Sequence, residues 1–137
     1  MKSKPQVLSL VENGWRGARQ CSLWLSSKGI PVTHLIKGRL SADIRALIRP
    51  YPNIYLKDTD RWIFRPLLAL HLVGMTLFGG VHAVLVDQPR TLRQVRRWCR
   101  RWGIPIFLIE ELPGSYQLWR EDQRVSLEAL HLAASDA

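Results

Sequence analysis

Two groups of residues in this 137-residue chain have the types and spacing to do chemistry. The first is Glu12-Asn13-Gly14-Trp15-Arg16-Gly17, which follows an apolar run at 6–11 and opens a helical pattern. Glycines at a helix entrance let the backbone come close to a ligand, and the free amides and positive dipole end there suit an anion. Arg16 adds a direct charge. Asn13, Gly14, Arg16 and Gly17 are therefore candidate ligand-binding residues, joined by Asp87 and Glu110 at the ends of two later apolar runs. The pattern falls short of a dinucleotide fingerprint, which carries a third glycine and a following acid. Glycine serving a tight turn is the plainer reading.

The second group lies in residues 90–102. Leu92, Val95, Trp98, Cys99 and Trp102 fall on one side of a helical wheel, and Arg90, Arg93, Arg96, Arg97, Arg100 and Arg101 on the other. Like charges one turn apart repel, so an anionic partner relieves strain in such a face. Arg93, Arg96, Arg97, Arg100 and Arg101 are candidate contacts to an anionic surface. A solvated outer face, acidic lipid headgroups and nucleic acid all fit this pattern. With both tryptophans turned to the core, the helix lacks the exposed aromatics on which single-stranded bases stack.

Other constellations do not assemble. There is no Gly-x-Ser-x-Gly elbow, no Gly-Lys-Ser/Thr phosphate loop and no Cys-x-x-Cys pair. His34, His71, His82 and His131 stand in separate segments, with no serine or cysteine nucleophile and orienting acid in view. No catalytic residue is assigned, and neither a metal nor a cofactor is expected. Asp58 with Asp60, and Glu110 with Glu111, offer acid–base or magnesium chemistry, but neighbouring carboxylates in a loop point apart. A receiver-domain pattern fails, since only Glu12 and Asp58 approximate its acids and the fifth strand ends in glutamate rather than lysine. Cys21 and Cys99 lack metal-ligand neighbours and read as buried small hydrophobes in a reducing cytoplasm.

The elements that must position these residues alternate. Short apolar runs at 6–11, 32–36, 53–56, 82–86 and 104–109 read as strands, the third followed by a polar loop at 57–60. Helical patterns occupy 16–28, a short stretch capped by Ser41, 62–78 and 90–102, with Gly29 and Gly103 as helix stops. Continuous apolar runs suit parallel strands buried on both faces, and each connection has room for a right-handed crossover helix. The expected fold is α/β, a Rossmann-like doubly wound parallel sheet of about five strands flanked by helices. Residues 1–111 form this domain. Residues 112–137 form an extension packed on it, with 115–120 as an edge strand and 125–134 as a terminal helix.

Composition agrees with one folded domain: 47% hydrophobic and 23% charged residues. Twenty Lys plus Arg against eleven Asp plus Glu gives a net charge of +9, which favours anionic partners. The opening Met1-Lys2-Ser3-Lys4-Pro5 is followed by an apolar run too short for a signal sequence. The uncharged stretch 66–86 has the length of a membrane span, but Gly79-Gly80 divides it into a helix-sized and a strand-sized piece.

The order of elements resembles the N-terminal, acceptor-side domain of GT-B glycosyltransferases, in particular the family-four-like group. Val7-Leu8-Ser9-Leu10-Val11, then Gly14-Trp15-Arg16-Gly17-Ala18-Arg19-Gln20, then Ser27-Lys28-Gly29-Ile30-Pro31-Val32-Thr33 look like that group's strand, glycine turn, helix and second strand. His82-Ala83-Val84-Leu85-Val86 and Arg101-Trp102-Gly103-Ile104-Pro105-Ile106 look like its later strands, so the resemblance spans residues 5–111. The family's Gly-Gly turn is Arg16-Gly17 here, and its His-rich strand ends are Asp87-Gln88 and Glu110-Glu111. The resemblance does not extend to that family's C-terminal domain, which holds the sugar nucleotide, and the chain is expected to lack it. The resemblance implies an acceptor-side domain that transfers sugar only with a donor-domain partner chain. Its expected location is cytoplasmic, peripheral on the inner face of a membrane. The alternatives are a non-catalytic module for nucleic acid, for which reversal of Arg93, Arg97 and Arg100 should abolish binding, and a small nucleotide-binding domain using Gly14 to Gly17.

Overall fold

A computed structural model of the chain describes residues 6–12, 15–60, 64, 66, 68–70, 74 and 80–135. Strand β1 (Gln6–Val11) leads through α1 (Trp15–Ser27) to β2 (Val32–Lys37), and α2 (Ala42–Ile48) leads on to β3 (Ile54–Thr59). Helical residues at Phe64, Pro66, 68–70 and Gly74 precede β4 (Val81–Val86); the other positions of the expected helix 62–78 lie outside the described residues. The chain continues through α3 (Pro89–Trp102), β5 (Ile106–Leu112), β6 (Ser115–Arg120), β7 (Gln123–Val125) and α4 (Leu127–Ser135).

The sheet runs β3-β2-β1-β4-β5-β6-β7. Its first five strands are parallel, with Val7 beside Val32, Val32 beside Ile54 and Val84 beside Ile106. This is the doubly wound order: the chain builds outward from β1 in one direction, returns, and builds outward in the other. The junction of β1 and β4 is therefore the switch point. Two antiparallel strands, β6 and β7, extend the sheet beyond β5.

Alternating side chains supply two cores. On one face Val7, Val11, Ile36, Leu85 and Phe107 meet Ala18, Cys21 and Leu25 of α1 and Leu130 and Ala134 of α4. On the other, Leu8, Leu10, Leu35, Val84 and Val86 meet Phe64, Leu68, and Val95 and Cys99 of α3. Cys21 and Cys99 thus lie on opposite sides of the sheet as buried free thiols. Burial pushes Cys21 up to about 12 and Cys99 up to about 11. His34 shares a row across the sheet with Leu85, Ser9 and Leu56 and is fully buried.

Three boundaries differ from the sequence expectation. The polar stretch 57–60 is mostly strand, because Lys57, Asp58 and Thr59 pair with Leu35, Ile36 and Lys37. An edge strand exposes alternate side chains, so polar residues do not end it. Strand β5 runs on through Glu110 and Glu111, which pair with Gln117 and Tyr116. Strand β6 is not the edge, since β7 covers it. The membrane-length stretch ends in the central strand β4, and among the described residues no helix is long and apolar enough to cross a membrane.

Candidate functional site

At the switch point the residues at the strand ends bind one another. Both carboxylate oxygens of Asp87, just beyond β4, accept from the Glu12 amide at 3.0 Å. The Glu12 side chain accepts from the Thr91 hydroxyl in the first turn of α3, and its other oxygen lies 3.6 Å from the Lys37 ammonium at the end of β2. A carboxylate thus sits at the amino-terminal turn of α3, where the helix dipole favours negative charge. Three strand ends and one helix start are tied together.

The amino-terminal turn of α1 also holds a carboxylate of the protein. The Gly17 amide donates to Glu111 Oε1 at 2.6 Å. Glu111, not Glu110, reaches this turn, because side chains alternate along β5 and Glu111 shares the α1 face with Phe107 and Ile109. Glu110 is exposed on the other face. Arg16 is exposed at the first turn of α1, while Asn13 and Gly14 lie outside the described residues.

Gly17 is buried, and its close contact with the sheet explains the missing side chain. A Cβ there would stand 2.7 Å from Ile109 Cγ2 and 2.9 Å from Glu111 Oε1. Gly17→Ala is expected to lower unfolding free energy by about 1–3 kcal/mol, the ordinary cost of overpacking a core. Urea denaturation measures it. An unchanged midpoint would show that Ile109 gives way freely.

The arginine face is built as its periodicity requires. Thr91, Val95 and Cys99 of α3 are buried, Leu92 and Trp98 are half-buried, and Arg90, Arg93, Arg96, Arg97, Arg100 and Arg101 are all exposed. Gly103 ends the helix at φ 68°, a left-handed conformation that closes the last turn with its amide on Arg100 and Cys99 carbonyls. One expectation is overturned. Trp102 lies on the apolar side of the wheel, yet it is 48% exposed. The helix runs antiparallel to β4, so its last residue arrives at the amino ends of the strands, where the sheet no longer covers it. Trp102 is therefore an exposed aromatic in the last turn of α3, on the side away from the arginines.

Two clefts open at that same end of the sheet, away from the rim of Glu12, Asp87 and Glu111. One, of about 260 Å³, is lined by Leu92, Ile104 and Ile106 and by Arg96, Arg100 and Arg120. The other, of about 420 Å³, includes Trp102, His82 and Val81. They share Gly103, Ile104, Pro105 and Arg120. Arg120 had no part in the sequence reading, because it comes from a strand 20 residues beyond Arg100 and only the β5–β6 hairpin brings it back. Among the described residues no group of three or more His, Cys, Asp or Glu side chains is placed to hold a metal ion.

No protein-family model, curated protein or solved structure matches the chain.

Proposed function

We propose that this chain is a non-catalytic module that binds single-stranded nucleic acid along α3. The observation that carries the reading is the face of six exposed arginines on α3, with an exposed indole, Trp102, in the last turn of the same helix on its other side. Guanidinium groups bind phosphate oxygens in pairs, and an exposed indole gives a base a surface to stack on. The pairing among the described residues of the rim supports the same reading, since Gly17 at the start of α1 and Thr91 at the start of α3 bond Glu111 and Glu12. A lipid surface fits less well: among the described residues the apolar side of α3 packs on the sheet through Val95 and Cys99, leaving only Trp102 uncovered to enter a bilayer.

Fluorescence anisotropy with a short labelled oligothymidylate tests the proposal. With four to six phosphates neutralised, log affinity should fall with log salt at a slope of about −3 to −4. Vesicles of phosphatidylserine and phosphatidylcholine form the comparison arm. Binding to vesicles without binding to oligonucleotide overturns the reading.

The acceptor-side glycosyltransferase reading stands as a second proposal, supported by the parallel order β3-β2-β1-β4-β5 alone. It needs a donor-domain partner, and its test is sugar transfer on mixing the two chains. The nucleotide-binding alternative at Gly14 to Gly17 is tested by thermal shift against a nucleotide panel, with Gly17→Asp as control.

A further inference from the structure

We propose that a nucleic-acid strand held on α3 continues over the α3 side of the β6–β7 hairpin, with a phosphate on Arg124 and a base against Trp119. The inference rests on the nucleic-acid reading of α3 and extends its contact surface to the edge of the sheet. The two faces of the sheet are covered unequally. On the α1 and α4 side, Leu118 of β6 is buried in the core, and Tyr116 and Val125 pack against it. On the α3 side, among the described residues, the core ends at Ile106 and Leu108 of β5, and no residue of β6 or β7 joins it. Helix α3 shares that core with β4 and β5 and goes no further.

Side chains alternate along a strand, so the register says what this uncovered face carries. Leu118 pairs with Val125 on the covered side; the next pair, Trp119 with Arg124, therefore falls on the α3 side, in one row with Leu108. Arg124 is exposed and Trp119 half-buried. Ser115 and Gln117 of the same face are what a solvated surface asks for, whereas a tryptophan is not. A charged residue on an edge strand also deters pairing with another chain, but that role gives Trp119 no part. An aromatic between cations is what a single strand uses, its bases stacking and its phosphates paired. The approach from the helix is basic as well. Arg96 and Arg100 line a cleft with Ile106 of β5 and Glu121 of the β6–β7 turn, so they stand on the flank of α3 turned toward the hairpin. Two strand spacings, about 10 Å, separate Leu108 from Arg124. Carboxylates bound the path on both sides: Glu110, paired with Gln117, and the exposed turn Glu121-Asp122. Like charge turns phosphates away from both, and the row of Leu108, Trp119 and Arg124 lies between them.

Fluorescence anisotropy with an oligothymidylate of about ten nucleotides, within the usual span of a single-strand site, tests this path. Arg124→Ala is expected to weaken binding about tenfold and to reduce the salt slope by about 0.7, the share of one phosphate. Trp119→Leu should weaken it at least about fivefold at an unchanged slope, as loss of a stacked base does. Arg49→Ala removes the same charge beside β3, at the opposite edge of the sheet, and should leave affinity and slope as they are. Urea denaturation reports whether each variant keeps its fold. A measurement without substitution is photocrosslinking of a bromouracil-containing oligonucleotide to the full chain, where residues 115–125 should be labelled as well as α3. Binding that ignores either Arg124→Ala or Trp119→Leu overturns the path and leaves the reading of α3 standing. So does an equal loss in Arg49→Ala, or crosslinking confined to α3. Absence of oligothymidylate binding overturns both.

Discussion

Replacing Arg93, Arg97 and Arg101 by glutamate is expected to weaken single-stranded oligonucleotide binding by about a thousandfold near 0.1 M salt. These three form a stripe at helical spacing on the exposed face of α3, and none lines either cleft. A hydrogen bond to a charged group contributes about 1.5–3 kcal/mol. Losing three, with like charge placed opposite phosphate, removes at least about 4 kcal/mol, which is a factor of about a thousand. The salt slope should shrink to about −2 or less, because three fewer counterions are released. Stability should stay within about 0.5 kcal/mol or rise, since surface substitutions cost little and the arginine repulsion is relieved. Trp102→Ala should act differently. It should cost about 1–3 kcal/mol of affinity at an unchanged slope, as stacking does not depend on counterions. Equal affinity for the triple variant and the wild type would sink the proposal.

Lowering the pH from about 6.5 to about 4.5 is expected to destabilise the fold by about 2–3 kcal/mol through His34 alone. Complete burial lowers His34 from 6.5 to about 3, so the native state keeps the imidazole neutral. The unfolded chain takes up a proton near the ordinary value. Below pH 6.5 the unfolded state therefore binds more protons than the native one, and stability falls as pH falls, by about 1.4 kcal/mol per unit. Full stability is present above that value, and the loss continues until about pH 3. The total rivals the whole stability of a marginal domain. Asp58 adds a loss at lower pH: burial works to raise its carboxyl, but the Leu40 amide and the Arg45 guanidinium outweigh this and hold it below its ordinary value. Measuring urea midpoints between about pH 6.5 and 4.5 keeps above that carboxylate window. His34→Leu should flatten the dependence there, whatever it does to stability at neutral pH. An equal slope in the variant would place the acid sensitivity elsewhere.

These two expectations draw on different kinds of information. The arginine face was legible because a helix repeats every few residues, and each arginine's exposure follows from the pattern around it. The strands at 6–11, 32–36 and 82–86 were legible for a similar reason: segments buried on both faces must be apolar throughout. Ser41 could be named as a cap because its hydroxyl needs only the amide of Ile44, which it reaches at 3.3 Å. Local rules govern local geometry.

Where a residue's role depends on something far along the chain, those rules had no purchase. Glu110 and Glu111 are indistinguishable in composition, and only the true end of β5 decides which one reaches α1. The Asp87 carboxylate on the Glu12 amide joins positions 75 residues apart. Trp102 is placed on the apolar side by the helical repeat, but the repeat does not know where the sheet stops. Arg120 lines the same cleft as Arg96 and Arg100 only because a hairpin returns β6 along β5. The amino-acid order by itself determined the parallel α/β fold and the cationic helix, since periodicity and side-chain size act within a few residues. Strand order decided which charges face one another, which aromatic is left uncovered and where a cleft opens, because those depend on distances that sequence spacing does not measure.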